Sequence, residues 1–236
     1  LVAYASRSAR MGNDYVTFAK WVKVAYGYFK DYGVPRIPEN ERPEFERFEK
    51  VFLPAIKELH EATGSLLVPA IDGCQDLLVL DGGGRLSAIP GSAEPLPSPL
   101  KYPRPAMLVE VNDAEKLQQA FTRYRATVNK FLKQAGPELD FQPFEIPAPV
   151  SREHAGGTLY TYPLPFSLGP DFEPHALVSG KYAVLSLSPS HSKSMVESSA
   201  SIPDSVVKLS AAAAVAYRVD LRGLTGLVFD DIVIFL

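Results

Sequence analysis

Hydrophobic positions near the start of the chain recur at helical spacing. From about Asn13 to Tyr32 an apolar residue appears every three or four positions, which predicts an amphipathic helix. Trp21, Tyr28 and Tyr32 lie on a second stripe of the same helix. Because a helix packed on one side buries a single stripe, these aromatic residues either pack beneath a second layer or form an interaction surface. We expect the covered arrangement, with the next helix as the cover.

The next helix is predicted from about Glu44 to Ala62, where large apolar side chains repeat every three or four residues. Pro54 lies inside that pattern. Since proline lacks an N–H and clashes with the preceding turn, we expect a kink or break near Leu53.

The pattern changes after Gly64 to short apolar runs typical of strands. Leu66–Ile71 and Asp76–Leu80 flank Asp72-Gly73, which predicts a β-hairpin. The stretch Pro90–Pro105 is rich in proline and predicts an extended surface loop.

The middle of the chain predicts a strand that leads into a long helix. The strand is Met107–Val111, and Asn112 with Glu115 forms a capping box for a helix to about Gln134. Gly136-Pro137 is expected to end this helix. Later elements are predicted as strands at Phe141–Ile146, Thr158–Leu164, Tyr182–Leu187 and Ala213–Val219, and as a short helix at about Ser190–Ser198.

Two pairs of segments resemble each other at nearly constant offset. Ala70–Gly73 is similar to Leu177–Gly180, and Val109–Asn112 is similar to Tyr217–Asp220. They indicate either an internal duplication or a chance match of common motifs. The predicted fold is α+β, a mostly antiparallel sheet with helices packed on one face. The two related halves would be residues 1–136 and 137–236, unless the chain is one compact domain.

Three segments resemble uncharacterised exported bacterial proteins of the domain-of-unknown-function kind. They are Pro105–Asp113, which runs into a helix, Gly157–Leu164, and Ala183–Pro189 before a helix. The resemblance covers about half of the chain, and it implies an envelope location without implying an activity.

Charge and hydropathy narrow the range of partners. The net charge is -3, with a pI near 5.9, and Lys and Arg are scattered, so nucleic acid is not an expected partner. No apolar run is long enough to predict a transmembrane segment. The sequence begins with Leu1 rather than Met, which favours removal of an N-terminal segment such as a signal peptide. We therefore expect an extracytoplasmic protein of the periplasm or cell envelope.

The chemical motifs are weak. Ser190 and Lys193 form the best placed of three Ser-x-x-Lys matches, a spacing with which a lysine can activate a serine on a helix. The partner motifs of such enzymes are absent from the sequence, and an N-cap role explains Ser190 equally well. Cys74 and the four histidines have no partner at ligand or catalytic spacing. We expect no catalytic, cofactor or metal site among these residues.

Two functions remain open. The first is a non-enzymatic binding or structural protein of the bacterial envelope, whose partner is an unknown protein or envelope component. The alternative is a hydrolase whose serine nucleophile is assembled from residues distant in sequence.

Overall fold

The computed structural model describes residues 2–7, 11–89, 94–139, 141–162, 168–169, 171–199 and 215–219. The chain folds into two compact units. The sheet unit contains the described residues of Leu1–Ser8, Cys74–Ala114 and Ala148–Leu236, and the helical unit contains those of Ala9–Gly73 and Glu115–Pro147. The predicted division between residues 136 and 137 does not coincide with these units.

The helical unit contains four α-helices, and two strands of the sheet unit lie in the sequence between the third and the fourth. The helices are α1 (Met11–Tyr28), α2 (Arg42–Ala62), α3 (Val68–Ile71) and α4 (Ala114–Leu139). A π-helical turn, Phe29–Gly33, prolongs α1, and a second one, Thr63–Leu67, joins α2 to α3. The long helices agree with the sequence prediction, but α2 runs through Pro54 without the expected break, and α4 continues through Pro137.

Two predicted strands of this unit are wrong. Leu66–Ile71 is helical, so no hairpin forms around Asp72-Gly73. Phe141–Ile146 is extended but belongs to no sheet. The Asn129 side chain on α4 takes the place of a neighbouring strand, because its amide donates to Ile146 O at 2.9 Å and accepts from Ile146 N at 2.8 Å.

The sheet unit contains eight strands. They are β1 (Val2–Arg7), β2 (Gln75–Leu86), β3 (Leu100–Glu110), β4 (Val150–His154), β5 (Gly157–Thr161), β6 (His175–Val178), β7 (Tyr182–Ser186) and β8 (Val215–Val219). Their order is β4-β5-β6-β7-β3-β2-β1-β8, and every neighbouring pair is antiparallel. The end of the predicted loop, from Leu100 onward, is therefore part of a strand.

Among the described residues of this unit, the helix α5 (Pro189–Ser199) packs on one face of the sheet. Met195 of α5 packs on a buried cluster from β3, β5, β6 and β7, formed by Ala106, Leu108, Leu159, Leu177 and Val184. Side chains alternate between the two faces of a strand, so the intervening residues point away from this core. Leu78, Met107 and Leu185 are opposite one another in register and are 37–46% exposed.

The architecture confirms the predicted α+β class with a mostly antiparallel sheet. The internal duplication stays a prediction, although one of its matched segments is helical at Ala70 and Ile71 whereas its counterpart Leu177-Val178 lies in β6. Across the described residues, no helix has the length and apolar character needed to cross a membrane.

Candidate functional site

The outer face of α1 carries an exposed aromatic surface. Phe18, Trp21, Ala25, Tyr28 and Tyr32, which we call the aromatic face, follow the 3-4-3-4 spacing that keeps residues on one side of a helix. The Tyr28 and Tyr32 rings stack with centroids 6.1 Å apart, so the face continues into the π-helical turn.

The aromatic face is not covered by α2. Phe18, Trp21, Tyr28 and Tyr32 are 62–64% exposed, and Ala25 is also exposed. The expectation that α2 would bury Trp21 and Tyr28 is therefore wrong. The reason is that α2 packs on the opposite side of α1, where other side chains make the contacts.

The inner side of α1, together with the π-helical turn that prolongs it, is fixed by polar and aromatic contacts with α2. Tyr26 donates a hydrogen bond to Glu49, and Lys30 Nζ lies 2.8 Å from the same carboxylate. The Phe29 and Phe45 rings meet edge to face at 5.6 Å. The hydrogen bond to Glu49, together with burial and the carboxylate charge, raises the pKa of Tyr26 to about 12. These contacts hold α1 in one orientation on the helical unit.

A groove of about 1,030 Å³ runs beside α1, opposite the start of α3. Tyr15 and His60 line it, with 2.6 Å between the phenol oxygen and Nδ1 of the histidine. Lys20 and Lys23 are also among its lining residues. The groove is open and its charged residues are exposed, so it has no enclosed site for a small ligand.

In the sheet unit, a polar cluster surrounds Arg104. Arg104 and Asp81 are directly opposite in the β2–β3 ladder, and the guanidinium binds both carboxylate oxygens at 2.7 and 2.6 Å. A β-bulge between Asp81 and Gly84 shapes this region. A Cβ at Gly83 would lie 2.4 Å from Arg104 Nη2, so glycine makes room for the guanidinium.

Asp171 joins this cluster to the start of α5. It accepts hydrogen bonds from the Ser188 hydroxyl, from Ser190 Oγ at 2.5 Å and from Ser190 N at 3.1 Å. Arg104 Nη1 lies 3.4 Å from the same carboxylate and 3.1 Å from Ser190 Oγ. Ser188 Oγ also accepts from His191 N at 3.2 Å, which is the bond of an N-cap serine.

Both carboxylates of the cluster stay ionised. Burial raises the pKa of Asp81, but hydrogen bonds from Arg104 and Gly83 N–H outweigh burial and hold that pKa below its usual value. The same balance lowers the pKa of Asp171, where the opposing hydrogen bonds come from Ser188 and Ser190. The Ser190 hydroxyl donates to the Asp171 carboxylate, and because the pKa of that carboxylate is held low, Asp171 is a weak base for activating a nucleophile.

A second serine, Ser192, is bonded to a histidine. His175 Nδ1 lies 2.6 Å from Glu173 O, and because a carbonyl only accepts, Nδ1 carries the proton. Nε2 is then free to accept from Ser192 Oγ, 2.7 Å away. The hydrogen bond therefore runs from the serine hydroxyl to the imidazole, as it does between a catalytic serine and its general base. However, Ser192 is completely buried and His175 is 7% exposed.

The accessible surface next to this pair is a shallow apolar depression of about 320 Å³ on the sheet. His175 is one of its lining residues, but Ser192 is not. Leu78, Met107 and Leu185, which point away from α5, also line the depression, so it opens on the face of the sheet opposite to Ser192. In this conformation Ser192 cannot attack a bound carbonyl.

His191 lies beside the Arg104 cluster, with Nε2 3.4 Å from Asp81 Oδ2. Its Nδ1 is the one buried side-chain nitrogen or oxygen without a hydrogen-bond partner among the described residues. Burial lowers the pKa of His191, and burial also lowers that of His175. Both imidazoles are neutral at pH 7.

The predicted Ser190–Lys193 pair is not brought together. Ser190 is the second residue of α5, after its cap, and its hydroxyl bonds to Asp171. Lys193 Nζ instead lies 3.8 Å from Glu197, one turn further along the helix. Cys74 is buried, and His154 Nε2 lies 3.2 Å from Pro189 O.

Sequence reasoning missed Asp81, Arg104 and Asp171 as a cluster, and His175 with Ser192 as a pair. Asp171 and Ser190 are 19 positions apart, and Arg104 and Ser190 are 86 apart, so no local spacing indicates them. The one available signal was Ser188-Pro189, an N-cap residue followed by proline at the first helical position.

No group of three or more His, Cys, Asp or Glu side chains in the described part of the chain is arranged to hold a metal ion. Comparison with protein families, curated proteins and solved structures gives no match to this chain. Function is therefore inferred from the geometry of the two units alone.

Proposed function

We propose that the protein is a non-enzymatic binding or structural protein of the bacterial envelope, and that it binds a protein partner through the aromatic face of α1. The observation that carries this proposal is the 62–64% exposure of four aromatic side chains on one side of a helix. Aromatic residues of this kind dominate the binding energy of protein interfaces.

The exposed area supports the proposal. Each large aromatic side chain contributes about 150–250 Å², so four side chains exposed to this degree present about 400–600 Å². That is the size of the largest apolar patch on a typical monomeric protein, and such patches are often functional.

The rigidity of α1 supports it as well. The bonds from Tyr26 and Lys30 to Glu49 anchor the helix from behind. A partner therefore meets aromatic side chains on a preformed helix, which reduces the ordering cost of binding. The envelope location is proposed on the resemblance of Pro105–Asp113, Gly157–Leu164 and Ala183–Pro189 to exported proteins.

Site-specific photocrosslinking in the native host tests the binding function. A photoreactive phenylalanine analogue at Trp21 or Tyr28 should give a crosslinked adduct, and the same analogue at Glu39 should not, because Glu39 is exposed but lies outside the aromatic face. Equal yields at all three positions, or no adduct at any, would count against the proposal. Fractionation of the same cells tests the envelope location.

The alternative function is a serine hydrolase, and the hydrogen bond between Ser192 and His175 is the observation that favours it. A hydrolase would need a conformation that exposes Ser192. A fluorophosphonate probe should label the wild-type protein and not Ser192→Ala if the alternative is correct. Ser190→Ala is the control, since its hydroxyl is bonded to Asp171. We expect no labelling of any of the three proteins.

A further inference from the structure

We infer that the partner that covers the aromatic face is a second copy of this chain, with the two α1 helices packed antiparallel. The inference rests on the proposed function and names its partner. It starts from the spacing of the exposed positions, since alternating steps of three and four residues are the pattern of two helices that pack side by side.

The residues of the face are complementary to themselves in the antiparallel direction. A two-fold axis at position 23 places Trp21 opposite Ala25 of the partner copy and Phe18 opposite Tyr28. The largest side chain then meets the smallest, and the two other rings form an aromatic pair. Such packing of unequal side chains fills the space between two helices without voids.

The polar group at the start of the face fits the same arrangement. Asp14 is exposed and continues the spacing one turn before Phe18. The axis at position 23 places it opposite Tyr32, whose phenol O–H can donate to the carboxylate. A charge that would be costly against an apolar surface is thus matched by a donor.

A parallel arrangement lacks this complementarity. It would place Trp21 against Trp21, Ala25 against Ala25 and Asp14 against Asp14, which gives a clash, a void and a pair of like charges. The antiparallel pair is isologous, because each helix offers the same surface to the other, and it closes as a dimer.

The area buried between the two copies sets the expected affinity of the dimer. With about 400–600 Å² contributed by each copy, the dimer buries about 800–1,200 Å², the lower limit for specific interfaces. We therefore expect a dissociation constant in the micromolar range.

Exchanging the large residue at position 21 with the small residue at position 25 tests the inference, and sedimentation equilibrium measures the dimerisation of each variant. Trp21→Ala leaves a void and Ala25→Trp creates a clash, so each single variant should dimerise at least about tenfold more weakly than wild type. The double variant restores one large and one small residue at each contact, and should recover the wild-type constant within a few-fold. Circular dichroism of each variant checks that the fold is kept.

A double variant no tighter than the weaker single variant, or a wild-type protein that stays monomeric at high micromolar concentration, would overturn the inference. A monomer that sediments with phosphatidylglycerol vesicles would also overturn it and assign the face to a lipid surface. Crosslinking of Trp21 or Tyr28 variants to a different protein alone would overturn the second-copy inference while still supporting a binding function.

Cysteine crosslinking tests the direction of the helices. In a Cys74→Ala background, a mixture of the Asp14→Cys and Tyr32→Cys variants should form a mixed disulfide dimer, and neither variant alone should do so. Efficient disulfide formation by Asp14→Cys alone would show a parallel pair and contradict the inference.

Discussion

Arg104 and Asp81 face each other across β2 and β3, and the guanidinium binds both oxygens of the carboxylate. The same guanidinium also contacts Asp171 and Ser190, so one side chain connects two strands to the start of α5. Only 18% of the Arg104 side chain is exposed. The Arg104 cluster therefore has a structural role in the sheet unit, and it is partly buried.

The first prediction concerns the Arg104 cluster. Arg104→Gln leaves two carboxylates close together without their shared cation, so the free energy of unfolding should fall by about 2–4 kcal/mol. Arg152→Gln is the matched control, because Arg152 binds Glu173 through two bonds but is 49% exposed. Arg152→Gln should lower the free energy of unfolding by less than about 1 kcal/mol. Urea denaturation measures both, and equal losses would contradict the structural role of Arg104.

The second prediction is a loss of stability in mild acid. Burial lowers the pKa of His175 and of His191, so as the pH falls through about 6.5 the unfolded chain takes up their protons before the folded chain does. The contribution of these two histidines to the free energy of unfolding is complete above about pH 6.5. Below that pH it decreases by up to about 1.4 kcal/mol per pH unit for each histidine.

Urea denaturation at pH 7.5, 6 and 5 measures this slope. His191→Gln should make this slope shallower, because only His175 then remains of the two histidines whose pKa is lowered in the folded state. A slope in His191→Gln as steep as that of the wild type would contradict the assignment. Below about pH 4, protonation of Asp81 and Asp171 should cause a further loss, since the pKa of each is lowered in the folded state.

The third prediction compares two glycines in turns of the sheet unit. Gly156 has φ +74°, in the left-handed region, and no atom lies within 4 Å of a Cβ added there. Gly156→Ala should therefore cost about 1–2 kcal/mol through backbone strain alone. Gly180 is equally open but has no positive φ, so Gly180→Ala should be neutral or stabilise by up to about 1 kcal/mol. Thermal denaturation separates the two cases.

The sequence predicted those elements whose pattern is long and repeats regularly. The helices α1, α2 and α4 lie where the apolar spacing indicated, and so do the strands β3, β5 and β7. In each, the period of the buried side chains matches one backbone geometry over several turns or pairs. This is why the α+β class followed from the sequence, whereas β1 and β4 were not predicted.

The failures have a common cause, since a short apolar run does not determine its own backbone. Leu66–Ile71 continues the helical chain after α2 and remains helical, with Thr63 Oγ bonded to Leu59 O. Ile146 has strand-like hydrogen bonds, but they come from the Asn129 side chain. The contacts of Arg104 and His175 depend on the register of the finished sheet, which no local spacing shows.

The fourth prediction separates folding from binding at the aromatic face. Replacement of Trp21 and Tyr28 by Ser should leave the melting temperature of the dilute protein within about 1–2 °C of wild type, because both side chains are more than 60% exposed. At high concentration the wild type should melt at a higher temperature than the variant, since dimer formation stabilises only the wild type. A loss of several degrees at low concentration would show that these rings belong to the core.

The emission of Trp21 tests the central claim most directly. It is the single tryptophan of the chain, so its fluorescence reports on the aromatic face alone. As the protein concentration rises from nanomolar to high micromolar, the emission maximum should move to shorter wavelength, and acrylamide should quench it less, because the second copy excludes water from the indole. Tyr28→Ser should weaken this change. An emission spectrum and quenching constant that stay the same over the whole range would contradict the claim that a second copy covers α1.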